Sequence, residues 1–287
     1  LITFQLLSCQ VEIDHEDPAI ADKLDYLVNR ARQPIESRQT FRYEVRGTSP
    51  YEIREGGDLV GSYGTPDDVL YVIYSRVHRR VLERFVSSGW VVFHGAIARV
   101  KNRRLLILGE KASGKSTLAM RLMFAGHQVE GDEWAMERNG EVLAFPRNLH
   151  LKPGIEVQIP EMADHLDTLP ITYMGDARIS ALDPSLLGFD WDITVGPVDE
   201  VIWLTANHGG ETSLERRPPF DAIRKIIESA LGWGETPEAV VAAASRLGGA
   251  GGIELVLGDA REGARLLESG PADSDGQTED QGQGRPL

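Results

Sequence analysis

This sequence predicts an α/β fold built around a phosphate-binding loop (P-loop), preceded by a small α+β unit, and three observations support it. Leu105 to Leu108 is an apolar strand that leads straight into Gly109-Glu110-Lys111-Ala112-Ser113-Gly114-Lys115-Ser116-Thr117. A helix-periodic stretch follows at once, with Leu118, Ala119, Leu122 and Met123 on one face. Further apolar runs at 90–100, 126–131, 198–206 and 252–257 alternate with helix-periodic segments, as they do in a sheet covered by helices.

The loop meets the pattern G-x-x-x-x-G-K-[ST] at Gly109, Gly114, Lys115 and Ser116. Each residue type has a physical task there. Glycines let backbone N–H groups close around phosphate oxygens, Lys115 reaches the β and γ phosphates, and the Ser116 hydroxyl can ligate Mg²⁺. The helix that opens near Lys115 aims its positive end at the same anion. An ordinary glycine-rich turn is the alternative, and it does not require both a strand before and a helix after. ATP and Mg²⁺ are therefore the expected ligands, with residues 109–117 as the cradle.

In chain order, residues 1–64 read as the α+β unit. Ile2 to Ile13 is expected as one strand, Pro18 to Arg32 as a helix, and Phe41 to Val45 with Tyr51 to Val60 as a meander around Gly56-Gly57. Residues 65–270 form the main domain. Thr65 can cap a helix with Pro66 in its first turn, running to Ser88, and Leu70, Ile73, Val77, Val81 and Phe85 are its core stripe. Trp90 to Val100 is a strand that turns at Lys101-Asn102-Arg103 into the strand feeding the loop. Gly126 to Glu133 is a short strand expected beside that loop strand, with acids at its carboxyl end, the edge where open α/β sheets bind ligands.

A second meander spans Trp134 to Leu151 around Asn139-Gly140. Pro153 to Pro197 is poorly periodic and expected to be a partly ordered covering region. Val198 to Ala206 and Gly252 to Leu257 are strands, while Pro219 to Leu231, Pro237 to Leu247 and Ala260 to Leu267 are helices. Residues 271–287 are a polar tail expected to be disordered.

Composition bounds the function. A chain of 287 residues with 41% hydrophobic content can bury a sizeable core. Its formal charge of −14, with no extended Lys/Arg cluster, argues against a nucleic-acid partner. Cys9 is the single cysteine, no Cys/His group has zinc spacing, and no run of 18 apolar residues occurs. The first residues lack a basic leader, so a cytoplasmic protein without a membrane partner is expected; a homo-oligomer is compatible with all of this.

A triphosphate site needs a second acid, both for the metal and for the acceptor's proton. Asp132 and Glu133 are the candidates, with a solvated acidic turn as the alternative. His94, in Phe93-His94-Gly95-Ala96, ends an apolar strand where a buried imidazole would need a partner.

These three segments, in this order and near this spacing, resemble the catalytic domain of HPr kinase/phosphorylase and its relatives over about residues 90–155. The resemblance implies the phosphoenolpyruvate-carboxykinase-like P-loop fold and a kinase acting on a Ser/Thr hydroxyl. It also implies that His94 lies near the phosphates, that Asp132 is the base toward the acceptor, and that Glu133 helps with the metal. Glu133 stands where the family has a second Asp, and Glu110-Lys111-Ala112 replaces Asp-Ser-Gly. Pro146-Arg147-Asn148-Leu149-His150-Leu151-Lys152-Pro153 is similar to stand-alone kinases, some in peptide-modification (RiPP) gene clusters including those of lasso peptides.

The leading expectation is a Mg-ATP-dependent kinase with a peptide or protein acceptor, using Lys115, His94 and Asp132, with Arg147 and Lys152 at an acceptor groove. A structural linker is the alternative for that segment. Other expectations are a kinase of a small-molecule hydroxyl, a carboxykinase for a small acid, or a nucleotide-dependent switch or ATPase using Arg147, Arg178, Arg216 or Arg217.

Overall fold

The first apolar run folds back on itself. In the computed structural model, which describes residues 1–36, 39–174, 177–232 and 234–271, Ile2–Leu6 (β1) and Cys9–His15 (β2) form a hairpin and not one strand. Leu7 makes the turn at φ +53° although it is fully buried. No turn residue announces this; the Gln33 side chain accepts the Leu7 amide from 26 residues away. Helix α1 (Pro18–Leu24), capped by the Asp17 side chain, also stops earlier than the periodicity predicts, and a short 3₁₀ turn over Asp25–Leu27 follows. Gln39–Arg46 (β3), Tyr51–Glu55 (β4) and Asp58–Tyr63 (β5) complete a sheet ordered β1-β2-β3-β4-β5.

Helix α2 (Pro66–Ser87) opens with a capping box between Thr65 and Asp68 and buries Leu70, Ile73, Val77, Val81 and Phe85, as its 3.6-residue stripe requires. It packs against α1, β4 and β5 on one side and reaches the main sheet on the other. One apolar cluster accordingly runs from Phe4 and Ile13 through Ile73 and Val77 to Val92 and Phe93.

The main sheet is laid down by Val91–Val100 (β6) and Arg103–Gly109 (β7), joined by a turn with Lys101 at φ +54°. After helix α3 (Lys115–Phe124) come Gln128–Gly131 (β8), Trp134–Arg138 (β9) and Glu141–Ala144 (β10). Strand β8 pairs with β6, not with the loop strand as expected. The free edge of β7 is taken instead by Glu200–Ala206, whose buried apolar stretch Val201 to Leu204 suits a parallel pairing covered on both faces.

The segment 153–197 is more structured than its composition predicts. Leu149–Leu151 (β11), Ile171–Met174 (β12) and Ala177–Leu182 (β13) form a separate three-stranded sheet ordered β11-β13-β12, with a four-residue helix, Ile155–Gln158 (α4), between. Ile159, Met162, Leu169 and Leu182 are buried in the same cluster as α3, so ordering comes from long-range burial and not from local periodicity. Val195–Gly196 (β14) pairs with β10. A buried ion pair anchors this return: Arg104 Nε lies 2.8 Å from Glu130 Oε1, and Glu130 also accepts from Thr194.

Glu200–Ala206 (β15), Ser213–Arg217 (β16) and Gly252–Leu257 (β17) finish the sheet, whose order is β14-β10-β9-β6-β7-β15-β17-β16. Strand β16 carries polar residues and is not predicted by hydrophobic pattern. Helices α5 (Pro219–Glu228), α6 (Pro237–Gly248) and α7 (Ala260–Ser269) match the periodic segments closely. The architecture is mixed α/β with several sheets. Among the described residues no helix is long and apolar enough to cross a membrane. The tail expected to be disordered lies, beyond Pro271, outside the described residues.

Candidate active site

Strand β7 ends at Gly109 and α3 begins at Lys115, so five loop residues connect two packed elements. The two glycines leave little room for a side chain. A Cβ on Gly109 would lie 2.6 Å from Ser113 Oγ, and one on Gly114, at φ +99°, would lie 2.7 Å from Leu257 Cδ2. The Lys115 amine folds back over the loop and donates to the carbonyls of Gly109 at 2.7 Å and Glu110 at 2.8 Å. Burial brings its pKa down to about 8, against the pull of Glu133, Asp132 and Glu110.

Asp132 follows β8 and is almost fully buried. Burial raises its pKa, and the neighbouring Glu133 adds to this, while Arg147 and the Ser116 hydroxyl pull it down. Its Oδ2 is buried with no partner among the described residues. Glu133 is half-buried, with Oε2 4.0 Å from His94 Nε2. His94 lies at the point where β6 passes from β9 to β7, and its pKa is lowered by burial and by Lys115. The Ser116 hydroxyl and the Asp132 carboxylate are hard oxygen donors of the kind Mg²⁺ takes. Among the described residues no three His, Cys, Asp or Glu side chains are placed to hold a metal ion together, so a cation here would draw its other ligands from phosphate and water.

Arg147 lies inside this cluster and not along an open groove. Its Nη2 donates to Asp132 Oδ1 at 3.3 Å and Glu133 Oε2 at 3.2 Å. Its Nη1 donates to the Tyr74 hydroxyl at 3.2 Å and to His150 Nδ1 at 3.0 Å. The acids and Tyr74 outweigh the burial of the guanidinium, so its pKa is raised. Lys152, by contrast, is exposed just beyond β11. Arg217 is tied to Glu215 on β16 and to Glu254 on β17, and Arg216 lies 4.0 Å from Glu200, so neither reaches the cluster.

Behind Arg147 stands a group that sequence reasoning did not single out: Tyr74, His78, His150 and Tyr26 pack ring against ring. Helical spacing places Tyr74 and His78 one turn apart on α2, which was legible, but their facing Arg147 was not. His78 donates to the Tyr74 carbonyl and is driven down to about pKa 3 by burial. The unfolded chain therefore binds a proton there that the folded chain refuses, so His78 leaves stability intact above about pH 6.5 and erodes it as pH falls toward 3. In His78→Phe the acid limb of unfolding free energy, followed by urea melts between pH 6 and pH 4, is expected to be shallower by about one proton, roughly 1.4 kcal/mol per pH unit. An unchanged slope would mean that His78 is protonated in the folded protein.

A cavity of about 570 Å³ opens beside the loop, bounded by His94, residues 109–113, the carboxyl end of β15, the end of α5 and residues 229–231 after it. Residues 229–231 form its back wall by strapping onto β6: His94 N donates to Ser229 O at 2.9 Å, and Leu231 N donates to Val92 O at 3.0 Å. No sequence signal marks that strap.

No family model matches the chain, and no curated protein does. Among solved structures it is similar to the Hpr(Ser) kinase/phosphatase from Coxiella burnetii, at 15% identity and a TM-score of 0.30, over 62% of this chain and 91% of that one. A superposition this loose gives no residue a role.

Proposed function

We propose that this protein is a phosphotransferase that moves the γ-phosphoryl group of ATP to a hydroxyl, of the Ser/Thr type, on a peptide or protein. The observation that carries this reading is the pairing of the Lys115 loop with a buried acid, Asp132, whose carboxylate feels the Ser116 hydroxyl and keeps one oxygen without a partner among the described residues. Lys115 and the loop N–H groups hold the phosphates, and the cavity beside the loop has room for the nucleoside. Ser116 and Asp132, with Glu133 near, would hold Mg²⁺, which supplies charge neutralisation at the phosphates.

The Asp132 carboxylate takes the acceptor hydroxyl's proton, and its raised pKa makes it a better base than a solvated carboxylate. His94, kept largely neutral by burial and by Lys115, lies where it can donate to a phosphoryl oxygen without adding full positive charge. Incubation with γ-labelled ATP and candidate acceptors tests the proposal: label on a peptide or protein is expected, and release of free phosphate alone would favour the switch or ATPase reading.

The peptide acceptor rests on surface chemistry. Val157, Tyr173 and Leu186 are large, exposed apolar residues in the 147–192 segment, and Lys152 is exposed five residues before Val157. Lys152→Glu is expected to raise the acceptor KM several-fold, about 1 kcal/mol, with ATP affinity unchanged. Equal effects on both substrates, or none, in steady-state kinetics would remove Lys152 from the acceptor site.

A further inference from the structure

Arg147 and its neighbour Asn148 leave one buried turn between β10 and β11 and reach two different parts of the molecule. Arg147 contacts the acids. Asn148 sends its amide nitrogen to the N-terminal unit, donating to Tyr26 O at 3.1 Å and Val28 O at 3.0 Å. A carboxamide is well suited to this, since its one nitrogen carries two hydrogens for two carbonyls and brings no charge. Those carbonyls lie just where α1 and its 3₁₀ turn give way to extended chain.

A second set of contacts runs in parallel. The Tyr26 ring lies 5.4 Å from His150 and 6.3 Å from Tyr74, centroid to centroid, and these are the two side chains that receive Arg147 Nη1. Residues 26–28 thus bear on Arg147 through its backbone neighbour and through both partners of one guanidinium nitrogen. On the other guanidinium nitrogen, the bonds to Asp132 and Glu133 are already long for charged pairs. A small further displacement would break them and leave two adjacent carboxylates without their counter-charge.

We infer that the N-terminal unit is a positioning element of the catalytic centre, acting through Asn148 to hold Arg147 against Asp132 and Glu133. This rests on the phosphoryl-transfer reading above. Asn148 touches neither the glycine loop nor the reacting groups, so its role is positioning. Displacements of about 1 Å at reacting groups cost on the order of 10²-fold in rate.

Asn148→Asp tests it, because the shape is kept while two donors become an acceptor facing two carbonyl oxygens. Turnover is read as ADP released at saturating Mg-ATP and acceptor, and ATP affinity by calorimetry. Turnover is expected to fall by about 10- to 100-fold with ATP affinity within about twofold of wild type, since the loop and Lys115 lie on other elements. In an Arg147→Lys background the same substitution is expected to add little, because both act through one guanidinium. Wild-type turnover in Asn148→Asp, or fully additive losses, would overturn the inference, as would a parallel loss of ATP binding and turnover in a folded variant. If Asn148→Asp fails to fold, Tyr74→Phe keeps the ring, removes one Arg147 partner, and must show the same split. Wild-type protein that binds ATP but releases no ADP with any acceptor would instead overturn the phosphoryl-transfer reading itself, and this inference with it.

Discussion

Lys115→Ala is expected to weaken ATP binding at least about tenfold and to lower turnover by roughly 10²–10³-fold, while the protein stays folded. The loss in binding follows from removing a charge-assisted donor to phosphate, and the larger loss in rate from removing positive charge where negative charge grows during transfer. Folding survives for a reason visible in the structure. The ammonium is buried, with its pKa brought down to about 8, so its presence costs desolvation that its two carbonyl bonds only partly offset. Calorimetry with Mg-ATP, a thermal melt and a turnover assay separate the three quantities. Unchanged affinity together with unchanged turnover would remove the loop from the proposed site. In the wild type, apparent ATP affinity is expected to decline as pH rises through about 8, because the free protein's amine then loses the proton that bound phosphate requires; Lys115→Ala should lack that decline.

Asp132→Asn should behave in the opposite sense, binding ATP near the wild-type level and transferring the phosphoryl group slowly, by about 10²-fold or more. The substitution keeps the side chain's size and removes its basicity. It also relieves one of two adjacent carboxylates in a buried cluster, so the melting temperature is expected to hold or rise slightly despite the loss of one Arg147 contact. Glu133 keeps Arg147 anchored at 3.2 Å. Measured transfer close to the wild-type rate would place the base elsewhere, with Glu133 the first residue to examine.

Features that depend on neighbours along the chain were readable from the sequence. The strand, glycine loop and helix over 105–124, the helix cap at Thr65, and the turns at Lys101 and Asn139-Gly140 each close within a few residues, so residue types alone specify them. The buried stripe of α2 and the strands β15 and β17 followed from periodicity for the same reason. The gathering of Lys115, Asp132 and Glu133 at one place was approachable, because Lys115 opens a helix and the two acids follow a strand at the same sheet edge, while His94 reaches them from inside β6.

Only the tertiary structure decided the rest, and the cause is the distance along the chain between partners. Leu7 turns because Gln33 receives its amide, the 3₁₀ turn after α1 gives way to extended chain where Asn148 takes the carbonyls of Tyr26 and Val28, and β8 pairs with β6 because β15 occupies the far side of β7. Arg147, read from the sequence as a groove residue, lies buried on the acids and on a tyrosine 73 positions away. The strap at 229–231 and the ordered sheet of β11, β12 and β13 likewise depend on contacts that no local pattern encodes. Turn chemistry and amphipathic periodicity act over a few residues, whereas burial of charge and the satisfaction of buried donors are settled only when distant segments meet.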